Sequence, residues 1–206
     1  MRSNQPYMQF KIQGITFRIS FSFFAVILIL LTGSDSKPLI YILLFSVIHE
    51  SGHLAALKVC KVNVVSFTLN LFGAEIKRND GASTGYMQDA FIAFCGPVAN
   101  LLIYITFGLI DLITANAALK EISLINLYIA IFNLLPFSSF DGGIILYALL
   151  SRAFGEKAGQ RIGTLFSYAL CLPFIVLSAA VFIKNHRNIY PAVMSLYLLL
   201  TLVFKK

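Results

Sequence analysis

Hydrophobic positions in this chain fall into long runs rather than narrow stripes. Apolar residues dominate Phe17 to Thr32, Pro38 to Leu57, Phe91 to Ile113, Ile122 to Leu150 with an interruption, Leu165 to Ile183, and Pro191 to Phe204. A helix rises about 1.5 Å per residue, so roughly 20 apolar residues cross a hydrocarbon layer about 30 Å thick. The pattern predicts an all-α polytopic membrane protein with six transmembrane helices, the first and last of them short. Between Lys61 and Asn79 the period changes. There Phe67, Leu69 and Leu71 alternate with Ser66, Thr68 and Asn70, the period of two that belongs to a strand. With turns at Gly73 and at Asn79-Asp80-Gly81, this segment predicts a small membrane-associated β-hairpin. Its open edge could take an extended peptide as one more strand, or it could be a plain amphipathic hairpin on the membrane surface.

Composition supports the membrane reading, since 58% of the 206 residues are hydrophobic and 12% charged, more apolar than a soluble core requires. The net charge of +7 matters through its distribution. With six spans, Arg2, Lys11, Arg18, Lys58, Lys61, Lys77, Arg78, Arg152, Lys157, Arg161, Lys205 and Lys206 lie on one side. Lys37, Lys120, Lys184 and Arg187 lie on the other. The positive-inside rule then puts both termini in the cytoplasm. Residues 1–14 read as a polar segment on the cytoplasmic surface or a solvated tail. Phe21 to Leu31 resembles a signal-peptide core, but its long polar lead favours an uncleaved anchor. Cys60, Cys95 and Cys171 have no ligand or pairing spacing and are expected to be unpaired. No phosphate loop or nucleic-acid module is present in the sequence, and no nucleic-acid partner is expected.

The second run contains His49-Glu50-Ser51-Gly52-His53. On a helix, two histidines at i and i+4 project from one face a turn apart and can hold one Zn²⁺, with Glu50 beside it as general base. Zinc with three protein ligands keeps a position for water and makes it a hydrolytic nucleophile. The bland alternative is two packed core histidines. It asks the membrane to hold two imidazoles and a carboxylate without purpose, which is costly.

The fourth run is interrupted by Asn133-Leu134-Leu135-Pro136-Phe137-Ser138-Ser139-Phe140-Asp141-Gly142-Gly143. Proline, serines and paired glycines predict non-helical backbone at membrane depth, tolerated where it is buried in protein or lines a cavity. Asp141 is a candidate third ligand or the N-cap of the next half-helix. Among the acids, Asp35, Glu75, Asp80, Asp89, Glu121 and Glu156 fall in loops or at interfaces and Asp111 at a span end, which leaves Glu50 and Asp141 deep. Glu50 lies about 18 Å along its helix from Pro38, and Asp141 at most about 16 Å from the boundary at Arg152, so the two can share a depth. His186 falls in an external turn and is set aside as a ligand. In the third run, Gly96-Pro97-Val98-Ala99-Asn100 offers close helix approach, a freed carbonyl and an amide.

Taken together, HESGH at His49 to His53, GPVAN at Gly96 to Asn100 and NLLPFSSFDGG at Asn133 to Gly143 resemble the site-2 protease family of intramembrane zinc metalloproteases. The motifs span about half the chain, and the flanks match only in hydrophobicity. The resemblance implies His49, His53 and Asp141 as zinc ligands, one zinc per chain, and Glu50 as the base. It assigns Asn133 to the scissile carbonyl or the substrate backbone. Gly96, Pro97, Asn100, Pro136 and Gly142 would be supporting residues. It implies a single membrane peptidase domain over residues 1–206 with a three-helix catalytic core within about 38–152 and accessory helices at 17–33, 165–183 and 190–204. With no PDZ or CBS segment in this sequence, the lengths are similar to a minimal bacterial form of the sporulation type, in a bacterial cell membrane, which leaves room for a separate regulatory membrane protein.

The expected activity is therefore intramembrane proteolysis of membrane-tethered proteins. A divalent-metal transporter built on the same histidine and carboxylate cluster is the alternative, and a silent relative that escorts membrane proteins a third class. Against transport stand the single cluster, the lack of a histidine-rich loop, and Glu50, which transport does not need.

Overall fold

The structure is a computed structural model that describes residues 7–12, 14–21, 37–70, 73–78, 84–184 and 190–204. Its elements in chain order are β1 Tyr7–Ile12, β2 Ile15–Ser20, α1 Lys37–Val59, β3 Val64–Asn70, β4 Gly73–Arg78, α2 Tyr86–Thr114, α3 Ala117–Asn133, α4 Asp141–Phe154, α5 Glu156–Lys184 and α6 Tyr190–Phe204. Cα proximity groups them into two compact units, residues 1–84 with 95–130 and residues 85–94 with 131–206.

In the first unit, α1 begins with Pro38 in its first turn, where a missing N–H costs nothing. It ends in a Schellman closure. Lys61 adopts φ +55°, its N–H donates to Lys58 O, and Val62 N–H donates to Leu57 O. Beyond this cap the chain enters a four-stranded sheet of order β1-β2-β3-β4. The expected hairpin is β3 with β4, antiparallel, with a bulge between Val64 and Ser66. The sheet is larger than the hairpin, however. Residues 7–20 form a second antiparallel hairpin, and β2 pairs parallel with β3. Residues 15–20 are therefore strand, not the start of a helix at Phe17. Ile15, Phe17 and Ile19 alternate with Thr16, Arg18 and Ser20, and the register aligns Phe10, Phe17 and Phe67 across three strands. Phe10 and Phe17 stack at 5.4 Å, and Phe17 meets Phe67 at 5.6 Å.

The Cys95 to Thr114 stretch of α2 lies against α1 at Gly52, where a β-carbon would strike the Cys95 carbonyl and press on Ala99. At its far end Ala115 turns left-handed, φ +49°, donating its N–H to Asp111 O. Asn116 Oδ1 then accepts the Ala118 N–H to start α3. The α2 and α3 helices are tied where Ser123 Oγ donates to Tyr104 O at 2.9 Å.

In the second unit, the interrupted run resolves into α3's last residues, an irregular segment at 134–140, and α4. This is the predicted break. Gly142 and Gly143 let the first turn of α4 rest on the backbone of the break, since β-carbons there would overlap the carbonyls of Leu134 and Phe137. Ser167 Oγ on α5 accepts the Ser138 N–H at 2.9 Å. Phe137, Phe140, Cys171 and Leu198 form a buried core joining the break to α5 and α6.

Three helices are long and apolar enough to cross a membrane: Ile40–Val59, Tyr86–Thr114 and Glu156–Lys184. Pro191–Leu202 is a shorter apolar helix, and α3 and α4, of 17 and 14 residues, are each below spanning length. Of the six expected spans, three are of full length among the described residues: the fourth run is two short helices, the sixth is the short α6, and the first lies mostly outside the described residues. The expected accessory segments 165–183 and 190–204 fall within α5 and on α6. The rest of the first run, the anchor or signal reading of Phe21 to Leu31, the Asn79-Asp80-Gly81 turn and His186 lie outside the described residues. The three cysteines are free thiols.

Candidate metal centre

His49 and His53 occupy consecutive turns of α1 and are both buried. Their rings meet edge to face at 82°, and their Nε2 atoms lie 3.2 Å apart. Two nitrogens bound to one tetrahedral zinc at about 2.0–2.1 Å stand about 3.3 Å apart. The helix thus sets the pair at ligand spacing.

Gly96 supplies the wall behind the rings. A β-carbon at this position would overlap Nε2 and Cε1 of His53 and crowd Nε2 of His49. Pro97 beside it is fully buried, and α2 continues through it. One turn further on, Asn100 Oδ1 lies 2.6 Å from His49 Nδ1. The Asn100 amide nitrogen donates to Phe45 O at 3.2 Å and to Asn126 Oδ1 at 2.9 Å. Asn126 in turn donates to Ile122 O at 2.9 Å. Asn100 and Asn126 are both wholly buried. GPVAN is thus more than helix packing: its glycine and its asparagine both touch the histidine pair.

Asp141 is the first residue of α4, and Phe140, not Asp141, holds the N-cap position. The carboxylate sits in the first helical turn. It is 9% exposed. His49, His53 and Asp141 are a group that could hold a metal ion, and two imidazoles and a carboxylate, each largely withdrawn from water, are a donor set that zinc accepts. Glu50 neighbours His49 on α1 and is half-buried. Asn133 closes α3, half-buried, and Pro136 lies in the break with its ring nitrogen unable to donate.

Sequence reasoning missed Asn126. Its signal was present, a single amide in the apolar stretch Leu124-Ile125-Asn126-Leu127-Tyr128, but unlike Asn100 and Asn133 it stands in no motif.

Residues 112–176 match the family model for peptidase family M50. Over that stretch the chain is similar to the family. It is 30% identical over 181 residues to a zinc metalloprotease of Methanocaldococcus jannaschii, an alignment covering 82% of this chain and 52% of that protein. It is 27% identical over 145 residues to stage IV sporulation protein FB of Bacillus subtilis, covering 69% and 50% respectively. It spans about a third to a half of the length of the curated relatives it matches. In three dimensions it superposes on the site-2 protease from Methanocaldococcus jannaschii with a TM-score of 0.69 at 24% identity, covering 94% of this chain and 92% of that one. The chain therefore has the fold of that site-2 protease.

Proposed function

We propose that this chain is a member of peptidase family M50 and an intramembrane zinc endopeptidase that cuts membrane-tethered proteins within or beside the bilayer. The observation that carries the reading is the pair of His49 and His53 at ligand spacing, Nε2 atoms 3.2 Å apart, with Asp141 as the third group that could hold the ion, on a chain whose fold is that of a site-2 protease. The protease names of its relatives agree with it. His49, His53 and Asp141 would hold the ion, one zinc per chain. When bound, zinc supplies Lewis acidity toward a water and a carbonyl oxygen.

The rest of the work belongs to the chain. Glu50 takes the proton of the attacking water and passes it to the departing amine, and two transfers through one carboxylate leave it ionised for the next cycle. The amide of Asn133 donates to the scissile carbonyl or holds the substrate backbone. A transmembrane substrate must first unwind, because a helical backbone has its carbonyls occupied. The β3–β4 hairpin is the element that would take the extended peptide as an added strand. Both termini lie in the cytoplasm by the charge distribution, in a bacterial cell membrane, with a separate membrane protein as regulator.

The test compares newly formed protein termini in cells carrying the wild type or Glu50→Gln. Termini specific to the wild type and mapping within or beside transmembrane segments support the reading. Unchanged cleavage of a verified substrate by Glu50→Gln, with zinc retained, would sink it. Zinc uptake into proteoliposomes by the same variant would instead favour the transporter.

A further inference from the structure

The hydrogen bonds behind His49 have a direction. Ile122 O is a carbonyl and can only accept, so the Asn126 side chain must present its amide nitrogen to it at 2.9 Å. That turns Asn126 Oδ1 toward Asn100, which meets it with its own amide nitrogen at 2.9 Å. Phe45 O, a second carbonyl, draws the same nitrogen at 3.2 Å. Asn100 is then left with Oδ1 facing His49 Nδ1 at 2.6 Å, and an oxygen without a hydrogen cannot donate. The proton between them belongs to the imidazole. In a neutral ring with Nδ1 protonated, Nε2 carries a bare lone pair, and Nε2 is the atom 3.2 Å from its counterpart on His53.

We infer that Asn126, acting through Asn100, is a positioning residue for the metal centre: it fixes His49 in the tautomer whose Nε2 can bind zinc. The inference rests on the zinc reading above. Its physical content is a flip. An amide rotated by half a turn fills the same space but exchanges donor for acceptor. Inverted, Asn100 would offer N–H to Nδ1 and drive the ring proton onto Nε2, closing the ligand atom. Two contacts oppose that inversion in the wild type, and Asn126 makes the shorter of them. Both amides are wholly buried, so water is not at hand to replace a lost partner, and each mismatch of acceptor on acceptor is paid at low dielectric. Partners of this kind behind a ligating imidazole alter metal affinity by about 10- to 100-fold.

The experiment uses the full chain in lipid nanodiscs and two variants. Asn126→Leu removes the acceptor that holds Asn100. Asn126→Asp keeps an oxygen toward Asn100 and, as the neutral acid that burial favours, a donor toward Ile122 O. Zinc affinity is measured by competition with a chelator, and the His49 tautomer by ¹⁵N spectra of the metal-free, histidine-labelled protein, assigned with His49→Gln. The expected result is Nδ1 protonation in the wild type, a loss of about tenfold or more in zinc affinity for Asn126→Leu with proton appearing on Nε2, and recovery close to wild type in Asn126→Asp. Wild-type affinity and tautomer in Asn126→Leu would overturn the inference, as would equal losses in both variants, which would reduce Asn126 to a packing residue. Should Asn126→Leu fail to fold, the metal-free wild type decides: a proton on Nε2 of His49 overturns the assignment. A wild type that binds no zinc at all would instead remove the reading of the site, which the tautomer measurement does not depend on.

Discussion

Gly96 presses its bare Cα face against the imidazole of His53 so closely that a β-carbon there would overlap Nε2 and Cε1. The glycine is thus part of the site's shape, because only its hydrogen leaves room for both rings to stand at ligand spacing. Gly96→Ala should fold and lose zinc, since the rings can give way more cheaply than two packed helices. Overpacking of about 1–3 kcal/mol, taken up by the ring positions, corresponds to roughly 5- to 150-fold weaker zinc binding. Chelator competition on the purified variant measures it. Unchanged affinity would mean that the helices part instead.

Gly143 makes the same demand of backbone rather than of a side chain. Its β-carbon would overlap the Phe137 carbonyl and press on Ser138 Cα, so Gly143→Ala must move the break away from α4, two residues after Asp141. We expect a destabilisation of about 1–3 kcal/mol, with a loss of bound zinc because the carboxylate moves with its helix. Thermal unfolding in detergent together with zinc content tests both halves. A variant that unfolds earlier but holds its zinc would separate the break from the metal centre.

Ser167 is wholly buried and receives the Ser138 N–H. Ser167→Ala leaves that donor without its partner, at a cost of about 1–3 kcal/mol. Unlike Gly143→Ala it adds no atoms beside α4, and zinc stoichiometry should stay at the wild-type value. A fall in melting temperature with full zinc content is the expected pair of readings, and a stability equal to wild type would show that the Ser138 N–H finds another acceptor.

The candidate metal centre was legible because a membrane makes ionisable residues expensive, so His49, Glu50, His53 and Asp141 stood out from runs of leucine and isoleucine. The break at 134–140 was legible for a related reason, since Pro136 and Gly142-Gly143 have few uses inside an apolar run. Asn126 was not, because a lone amide in a helix is ordinary until its neighbours in space are known, and the one that matters is Asn100, 26 residues away in sequence. The N-terminal hairpin was hidden by averaging. Phe17 and Ile19 fed the hydrophobic run that follows, while their alternation with Thr16 and Arg18 carried the strand signal. The parallel pairing of β2 with β3 is non-local and left no mark in either segment.

Lys61 occupies the left-handed position that closes α1, at φ +55°. A side chain there brings its β-carbon against the backbone at a cost of about 1–2 kcal/mol, which glycine avoids while losing more freedom on folding. The difference predicts that Lys61→Gly stabilises the chain by about 0.5–1 kcal/mol. The bonds of the cap, Lys61 N–H to Lys58 O and Val62 N–H to Leu57 O, are backbone to backbone and survive the change. The exposed lysine is one of twelve basic residues on the side proposed to face the cytoplasm, and its loss leaves eleven of them. Orientation should therefore hold while stability rises. Thermal unfolding reads the first effect, and accessibility of a cysteine placed at the C-terminus reads the second. A lower melting temperature would mean that the lysine makes a contact worth more than the backbone relief.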